Sequence, residues 1–382
     1  MKNKKLPRVL IAPNAFKESL TAYEAAKAIQ KGILRVNPDI KTTLIPIADG
    51  GDGTMDVLVR GLGGKQKTTT VMGPMDEVVN AKWGIINRGK SAVIEMAQAS
   101  GLFRVPINHR NPLKAHTYGT GELIKKCLDS DVSEILVGVG GSATVDMGTG
   151  ALMALGIKFL DKKGKVVGLG GGNLTQIVSI DDSNLDRRIN KVKIRVACDV
   201  KNPLLGKDGA VSRYAPQKGA TPVMLVQLEE GFIHFNELIQ RTFGINLSKV
   251  PGAGAAGGLG AGLMAFINAE LVSGSDYIMN ELNIDEALKN NELVVTGEGK
   301  MDSQSRSGKA PSALAFRAQK YHCKVIALAG IIGNNRQALH NDGFTALFPI
   351  QNGPMSMTES IAESNQLLTR QTEEIFRLII NI

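Results

Sequence analysis

The chain has 382 residues, of which 43% are hydrophobic and 21% charged, with a formal net charge of +9. That length exceeds one ordinary domain and points to two, and the balance excludes a disordered or low-complexity chain. The positive charge is scattered except at 187–195, where no aromatic ladder accompanies it, so it suits acidic small molecules better than nucleic acid.

Lys2-Asn-Lys-Lys5 leads into an apolar run at 8–12 of buried-strand type, not into a signal segment, and a cytoplasmic location is expected. A loop holding Asn14, Lys17 and Ser19 follows, then a helix over 22–34 that Ser19 or Thr21 could cap. Strand 42–47 ends at Asp49, and the next helix is expected over 52–62. From about Gly64 the rhythm changes to antiparallel strands at 68–71, 80–86 and 91–97. A literal G-x-x-x-x-G-K-S at Gly84 to Ser91 lies in a strand and a hairpin turn, which is not the context of a P-loop.

A helix over 117–128 opens with Thr117-Tyr-Gly-Thr120, and the apolar 135–137 then feeds Gly138-Val-Gly-Gly-Ser142-Ala-Thr144-Val-Asp146. Strand, glycine turn and helix start would aim backbone N–H groups and a positive dipole end at an anion. Strand 193–197 ends at Cys198-Asp199, ahead of Asn202-Pro203; Gln217 and Lys218 sit in a polar loop before the helix 224–243. Residues 251–269 are uncharged but mostly glycine and alanine, too polar for a membrane span, and read as a loop entering a buried helix. From Glu292 the first rhythm returns, with strand 293–296, an acid loop at 297–302, helix 309–322, strand 324–329, helix 335–340, strand 345–350 and helix 359–380.

The two ends together supply five βα units, which suits a flavodoxin-like sheet of order 2-1-3-4-5. The expected division is 1–63 plus 290–382 for that domain and 64–289 for an inserted α/β domain. In such a sheet the ligand crevice lies at the carboxyl ends of the first and third strands. Those ends carry Asn14, Lys17 and Ser19, and Glu298, Lys300 and Asp302. Four glycine-and-acid stretches, at 48–54, 138–150, 252–260 and 296–302, are expected to face one cleft and handle a phosphorylated ligand.

Each acid has a plain reading beside the functional one. Asp52 could serve only the helix dipole, and Asp146 could cap the helix after its loop. Asp199, ending an apolar strand, is the stronger candidate base. Glu298 and Asp302 flank Lys300 at a strand end, a place suited to metal and phosphate. Phosphoryl transfer fits this inventory, since it asks for positioning, a cation and an acid to orient the attacking hydroxyl. Acyl transfer does not, for want of a Ser-His or Cys-His arrangement. A dinucleotide enzyme is the alternative, on G-x-G-x-x-G at 252–257 and G-x-G-x-x-A at 138–143 with Asp161 near the ribose-binding distance. A third reading is a non-catalytic sensor of acidic metabolites. Cys127, Cys198 and Cys323 share no metal or redox spacing.

Nine ordered blocks resemble one family. They are Asn14-Ala-Phe-Lys-Glu-Ser-Leu20, Ala48-Asp-Gly-Gly-Asp-Gly-Thr54, Ala92-Val-Ile-Glu-Met-Ala-Gln-Ala-Ser-Gly-Leu102, Thr117-Tyr-Gly-Thr-Gly-Glu122, Gly140-Gly-Ser-Ala-Thr-Val-Asp146, Ala197-Cys-Asp-Val-Lys-Asn-Pro203, Pro216-Gln-Lys-Gly-Ala220, 251–258 and 296–302. Over nearly its whole length the chain resembles bacterial glycerate kinases of the first type. The resemblance implies phosphorylation of D-glycerate by ATP with Mg2+, between a flavodoxin-like domain and an inserted one likened to restriction endonucleases. The product would be 2-phosphoglycerate, with 3-phosphoglycerate as the other form the family makes.

Under that reading Asp199 orients or deprotonates the attacking hydroxyl, with Asp49 as alternate, and Lys17 and the backbone of 140–142 steady phosphate oxygens. Glu298 and Asp302 would hold Mg2+. The wider substrate- and phosphate-binding set is Asn14, Ser19, Asp52, Thr54, Thr117, Thr120, Gly140, Gly141, Ser142, Asp146, Asn202, Gln217, Lys218, Gly254, Gly257, Gly297 and Lys300. The implied partner is small-molecule D-glycerate, with neither nucleic acid nor membrane, and a homo-oligomer is compatible with the sequence. The chain departs from the family where Glu18 and Met147 replace glycine and Val145 replaces asparagine. It departs again where Lys300 and Met301 stand for Arg-Ile, which loses the guanidinium fork, and where Ser305 stands for threonine after Gln304.

Overall fold

The structure, a computed structural model, describes residues 6–302, 309–334 and 336–381. Gln304 and Ser305 lie outside the described residues. The chain forms two compact units, Met1–Asp49 with Ser275–Ile382 and Gly50–Gly274. Its strands in chain order are β1 (Val9–Ile11), β2 (Thr42–Leu44), β3 (Lys65–Met72), β4 (Val78–Ile86), β5 (Ser91–Glu95) and β6 (Glu134–Gly138). They continue as β7 (Lys158–Leu160), β8 (Ser179–Asp181), β9 (Lys193–Ala197), β10 (Glu270–Val272), β11 (Leu293–Met301), β12 (Lys324–Ile332) and β13 (Ala346–Pro349).

The discontinuous unit is a five-stranded parallel sheet ordered β13-β12-β11-β1-β2. Counted within the unit, that order is 2-1-3-4-5. All three residues of β1 are fully buried, as a parallel strand covered on both faces requires. The helix Ala22–Val36 starts at Thr21, which forms a capping box with Glu24, and it buries Ala25, Ala26, Ile29 and Ile33 on one side. The helix Ser364–Asn381 lies so close to it that a Cβ on Gly32 would fall 2.5 Å from the Thr369 carbonyl oxygen.

One expected loop is strand. β11 runs on through the acid-bearing 297–301, paired with β12 as far as Met301 with Ile332. Glycine suggested a loop there, but here glycine permits close strand approach: a Cβ on Gly330 would fall 2.7 Å from the Gly299 carbonyl. The C-terminal helix expected as one is two, Met357–Ala362 and Ser364–Asn381.

The continuous unit is built on a mixed sheet ordered β10-β9-β6-β5-β4-β3, antiparallel from β3 to β5 and parallel beyond. β7 and β8 form a separate hairpin that sequence reading did not foresee. The helix Thr54–Gly61 belongs to this unit, packing Val59 and Met55 onto Gly84 of β4. Residues 84–91 are the end of β4, a tight turn and β5, an antiparallel pair. The uncharged 251–269 holds a nine-residue helix, Leu259–Ile267, and among the described residues no helix is long and apolar enough to cross a membrane. The basic 187–195 stretch is matched by carboxylates: Arg188 pairs with Asp186 and Asp129, Arg195 with Glu134 and Glu270, and Lys193 with Glu270.

Candidate functional site

In the continuous unit, loops at the carboxyl ends of β6 and β9 meet the 50–54 turn through glycine. A Cβ on Gly50 would lie 2.9 Å from the Ala197 carbonyl oxygen, one on Gly138 2.7 Å from the Gly50 carbonyl, and one on Gly140 2.5 Å from Gly51 Cα. Gly140 N–H donates to Gly50 O at 3.4 Å, and Gly141 N-terminally flanks Ser142 with its Cα facing the Asp52 carboxylate. The 252–258 loop joins them: Gly254 N–H donates to Asn202 O at 3.1 Å, Met147 N–H to Gly257 O at 3.0 Å, and Gly254 and Gly257 abut the Pro203 and Thr144 carbonyls. Side chains larger than hydrogen at these glycines would push the loops apart.

Asp146 is fully buried and its carboxylate accepts from four donors: Thr117 N–H at 2.9 Å, Thr117 Oγ1 at 2.8 Å, Gly148 N–H at 3.1 Å and Gly150 N–H at 3.3 Å. The anion at the start of the helix Thr149–Ala154 is therefore the chain's own. Thr117 Oγ1 passes the tie on by accepting from Ala151 N–H at 2.9 Å. Thr120 is buried with its hydroxyl 2.9 Å from Ser100 Oγ. Thr117 thus holds the loop at Asp146, and Thr120 ties the neighbouring Ser100.

Lys218 is buried, on the short turn Pro216–Lys218, and its Nζ donates to Ser142 Oγ and to the Thr144 carbonyl, each at 2.7 Å. Burial pushes the Lys218 ammonium down to about 7, against the upward pull of Asp146. Gln217 beside it is exposed, and its carbonyl accepts from Arg110 at 3.1 Å. Val145 is fully buried in the hydrophobic core, so an apolar residue suits the position.

Glu95, at the end of β5, escaped sequence reading. Its Oε1 accepts from Met55 N–H at 2.7 Å, and its carboxylate also faces the Gly53 N–H. Gly53, the residue before the helix Thr54–Gly61, has no side chain to cap it, so a carboxylate from 40 residues away takes that place. Burial, helped by nearby Asp52, pushes the Glu95 carboxyl up to about 7. An acid ending a buried apolar strand was the same signal that marked Asp199.

Asp52 is exposed, and Thr54 is fully buried at the head of the helix. Asp199 is half-buried just past β9 and accepts from Ser273 Oγ at 2.9 Å. Asn202 donates to Asp208 O at 2.8 Å and accepts from the Tyr214 hydroxyl at 2.6 Å.

In the discontinuous unit, β1 and β11 are neighbours, so their carboxyl ends bring the expected residues together. Asn14 N–H donates to Gly297 O at 2.9 Å, and Gly299 lies against Phe16 and the Lys17 backbone. Lys17 is exposed; Ser19 N–H donates to Phe16 O, closing a tight loop in which Glu18 takes φ +65°. Glu298 is buried with Lys309 Nζ at 3.8 Å, and Asp302 is 3.0 Å from Lys300 Nζ. Asp49 is half-buried at the end of this unit's first segment. Among the described residues no three His, Cys, Asp or Glu side chains gather at metal-ligand spacing.

The model of the glycerate kinase family matches residues 9–380. The chain is 45% identical over 367 residues to a glycerate kinase of Halalkalibacterium halodurans, covering 96% of this chain and 97% of that one. It is 44% identical over 368 residues to a glycerate 2-kinase of Escherichia coli K12, with 96% and 97% covered. A crystal structure described as glycerate kinase 2 from Salmonella typhimurium LT2 superposes with a TM-score of 0.87 at 38% identity, covering 99% of both chains.

Proposed function

The chain belongs to the glycerate kinase family and is an enzyme of that class, and from that premise we propose that it transfers the γ-phosphoryl group of ATP to D-glycerate, giving 2-phosphoglycerate. The observation that carries the site assignment is the convergence of the 50–54 and 252–258 glycine loops on 138–146 in the continuous unit, with Asp199 at the adjoining strand end. The five-stranded sheet is read as flavodoxin-like on its strand order, and the continuous unit as the family's inserted domain. The protein is read as working in the cytoplasm.

Asp199 orients the attacking hydroxyl and takes its proton as the bond to phosphorus forms and the bond to the leaving ADP oxygen breaks. Asp49 is the alternate for that role. Gly141 and Ser142 present backbone donors to anionic oxygens, with Gly140, whose N–H is tied to Gly50, shaping the turn, and Lys17 meets phosphate from its exposed loop. Asp146, Thr117 and Lys218 act from behind, fixing the loop, and Thr120 ties the neighbouring Ser100. Two carboxylates on a strand end, Glu298 and Asp302, are the hard oxygen donors that Mg2+ uses beside nucleotide phosphates, so these residues fit it. Bound there, the ion would neutralise charge on the phosphate oxygens, with Lys300 and Lys309 close by.

ADP release from Mg-ATP with and without D-glycerate tests the reading, followed by phosphorus NMR of the product. Glycerate-dependent release with a 2-phosphate signal supports it; a 3-phosphate signal changes the acceptor hydroxyl; no release overturns it.

A further inference from the structure

We propose that Lys218 is the counter-charge for an anionic group held against the 140–142 loop, and that such an anion binds with uptake of a proton by the Lys218 amine. The proposal deepens the kinase reading and rests on its assignment of that loop to anion binding.

Lys218 is 2% exposed, yet both acceptors of its Nζ, the Ser142 hydroxyl and the Thr144 carbonyl, are uncharged. A buried ammonium is ordinarily matched by a carboxylate in direct contact. The carboxylate that acts on it, Asp146, has its oxygens taken up by Thr117, Gly148 and Gly150. Two other charges bear on the place: Arg110, whose guanidinium binds the Gln217 carbonyl on the same turn, and Asp52, whose carboxylate faces Gly141.

With an amine pushed down to about 7, the neutral and charged forms coexist at neutral pH. The contact to Ser142 survives in both, because the hydroxyl can accept from an ammonium or donate to an amine. Ser142 is buried but follows Gly141, which is exposed, so the loop that carries the hydroxyl reaches the surface one residue away. An anion bound to that hydroxyl would lie about 5 Å from Nζ, where an effective dielectric of about 20 gives about 3.3 kcal/mol and raises the proton affinity at least a hundredfold. The carboxylate of glycerate and a phosphate of the nucleotide are the two sources of such an anion; both present the same charged oxygens, and separate titrations tell them apart.

The test is calorimetric titration of the full chain at pH 8 in buffers of different protonation enthalpy, with D-glycerate and with Mg-ATP as separate titrants. About 0.8 proton is expected to be taken up with one of the two ligands, and its Kd should rise about 25-fold from pH 7 to pH 9. Lys218→Met should bind without that uptake. Ligand binding with no proton uptake, or the same uptake in Lys218→Met, would overturn the proposal. Should that variant fail to fold, a Kd that stays flat from pH 7 to pH 9 in the unaltered protein overturns it alone. If neither ligand binds and no ADP is formed, the kinase reading itself falls, and this inference with it.

Discussion

Glu95→Gln isolates one buried acid. The Glu95 carboxyl lies at about 7 in the fold against an ordinary 4.5, because burial disfavours the charged form more than the Met55 and Gly53 N–H groups favour it. The folded state therefore binds the proton more tightly than the unfolded chain. The stability this confers is fully present below pH 4.5 and is lost as pH rises through 7. At 1.36 kcal/mol for each tenfold change in proton affinity, the whole effect is about 3.4 kcal/mol, and about 2.5 kcal/mol of it falls between pH 5 and pH 8. Glutamine keeps an oxygen for Met55 N–H and cannot ionise. Urea unfolding of both proteins from pH 5 to pH 8 should then show the variant gaining about 2.5 kcal/mol on the parent as pH rises. Lys218 titrates in both proteins and cancels in the difference. Parallel stability profiles would refute the reasoning, since they would mean that Glu95 ionises in the fold as it does in water.

Asp199→Asn should lower turnover about 100-fold or more while leaving ATP affinity within a few-fold, as expected on losing a general base; steady-state kinetics with a nucleotide titration would check it, and near-normal turnover would remove the role. Asp146→Ala strands several buried donors and should cost about 3 kcal/mol or more in denaturant unfolding. A variant of normal stability that nonetheless lost glycerate binding would instead put Asp146 in contact with ligand. Glu18→Gly removes a side chain from a left-handed backbone position and should raise stability by about 1 kcal/mol, read from thermal unfolding. An unchanged or lowered midpoint there would mean that the Glu18 side chain contributes more than its backbone costs.

Much of the architecture was legible because parallel strands buried on both faces appear as short apolar runs, as at 9–11, 135–137 and 293–296. The strand ends then marked the loops. The seam between units was less legible. The helix Thr54–Gly61 continues the opening βα rhythm in sequence, and its packing on Gly84 and its bond from Met55 N–H to Glu95 tie it to the continuous unit. Glycine misled at 297–301, where it serves flat strand packing and not a loop.

The site was legible as a set of loops but not as a set of atoms. Asp146 looked like a ligand or a cap with equal justice, and four donors drawn from two helix starts decide the geometry. The Ser142–Lys218 contact spans 76 positions, so no spacing rule could have paired them. Two of the family departures gain a physical reason: Glu18 and Met147 stand at φ +65° and +49°, the backbone region where glycine is at home.

The unit assembled from both ends of the chain has a consequence for synthesis. β1 takes its place in the sheet beside β11, with Val9 opposite Leu293, so the opening strand must wait for its partner to leave the ribosome. At about 5–20 residues per second that delay is roughly 14–60 s. The continuous unit, by contrast, has all its strands available once residue 272 has emerged. Through that interval the helix Ala22–Val36 carries an apolar face whose cover, the helix Ser364–Asn381, lies far later in the chain. The nascent chain thus carries, for that interval, an apolar helix face that the finished enzyme covers.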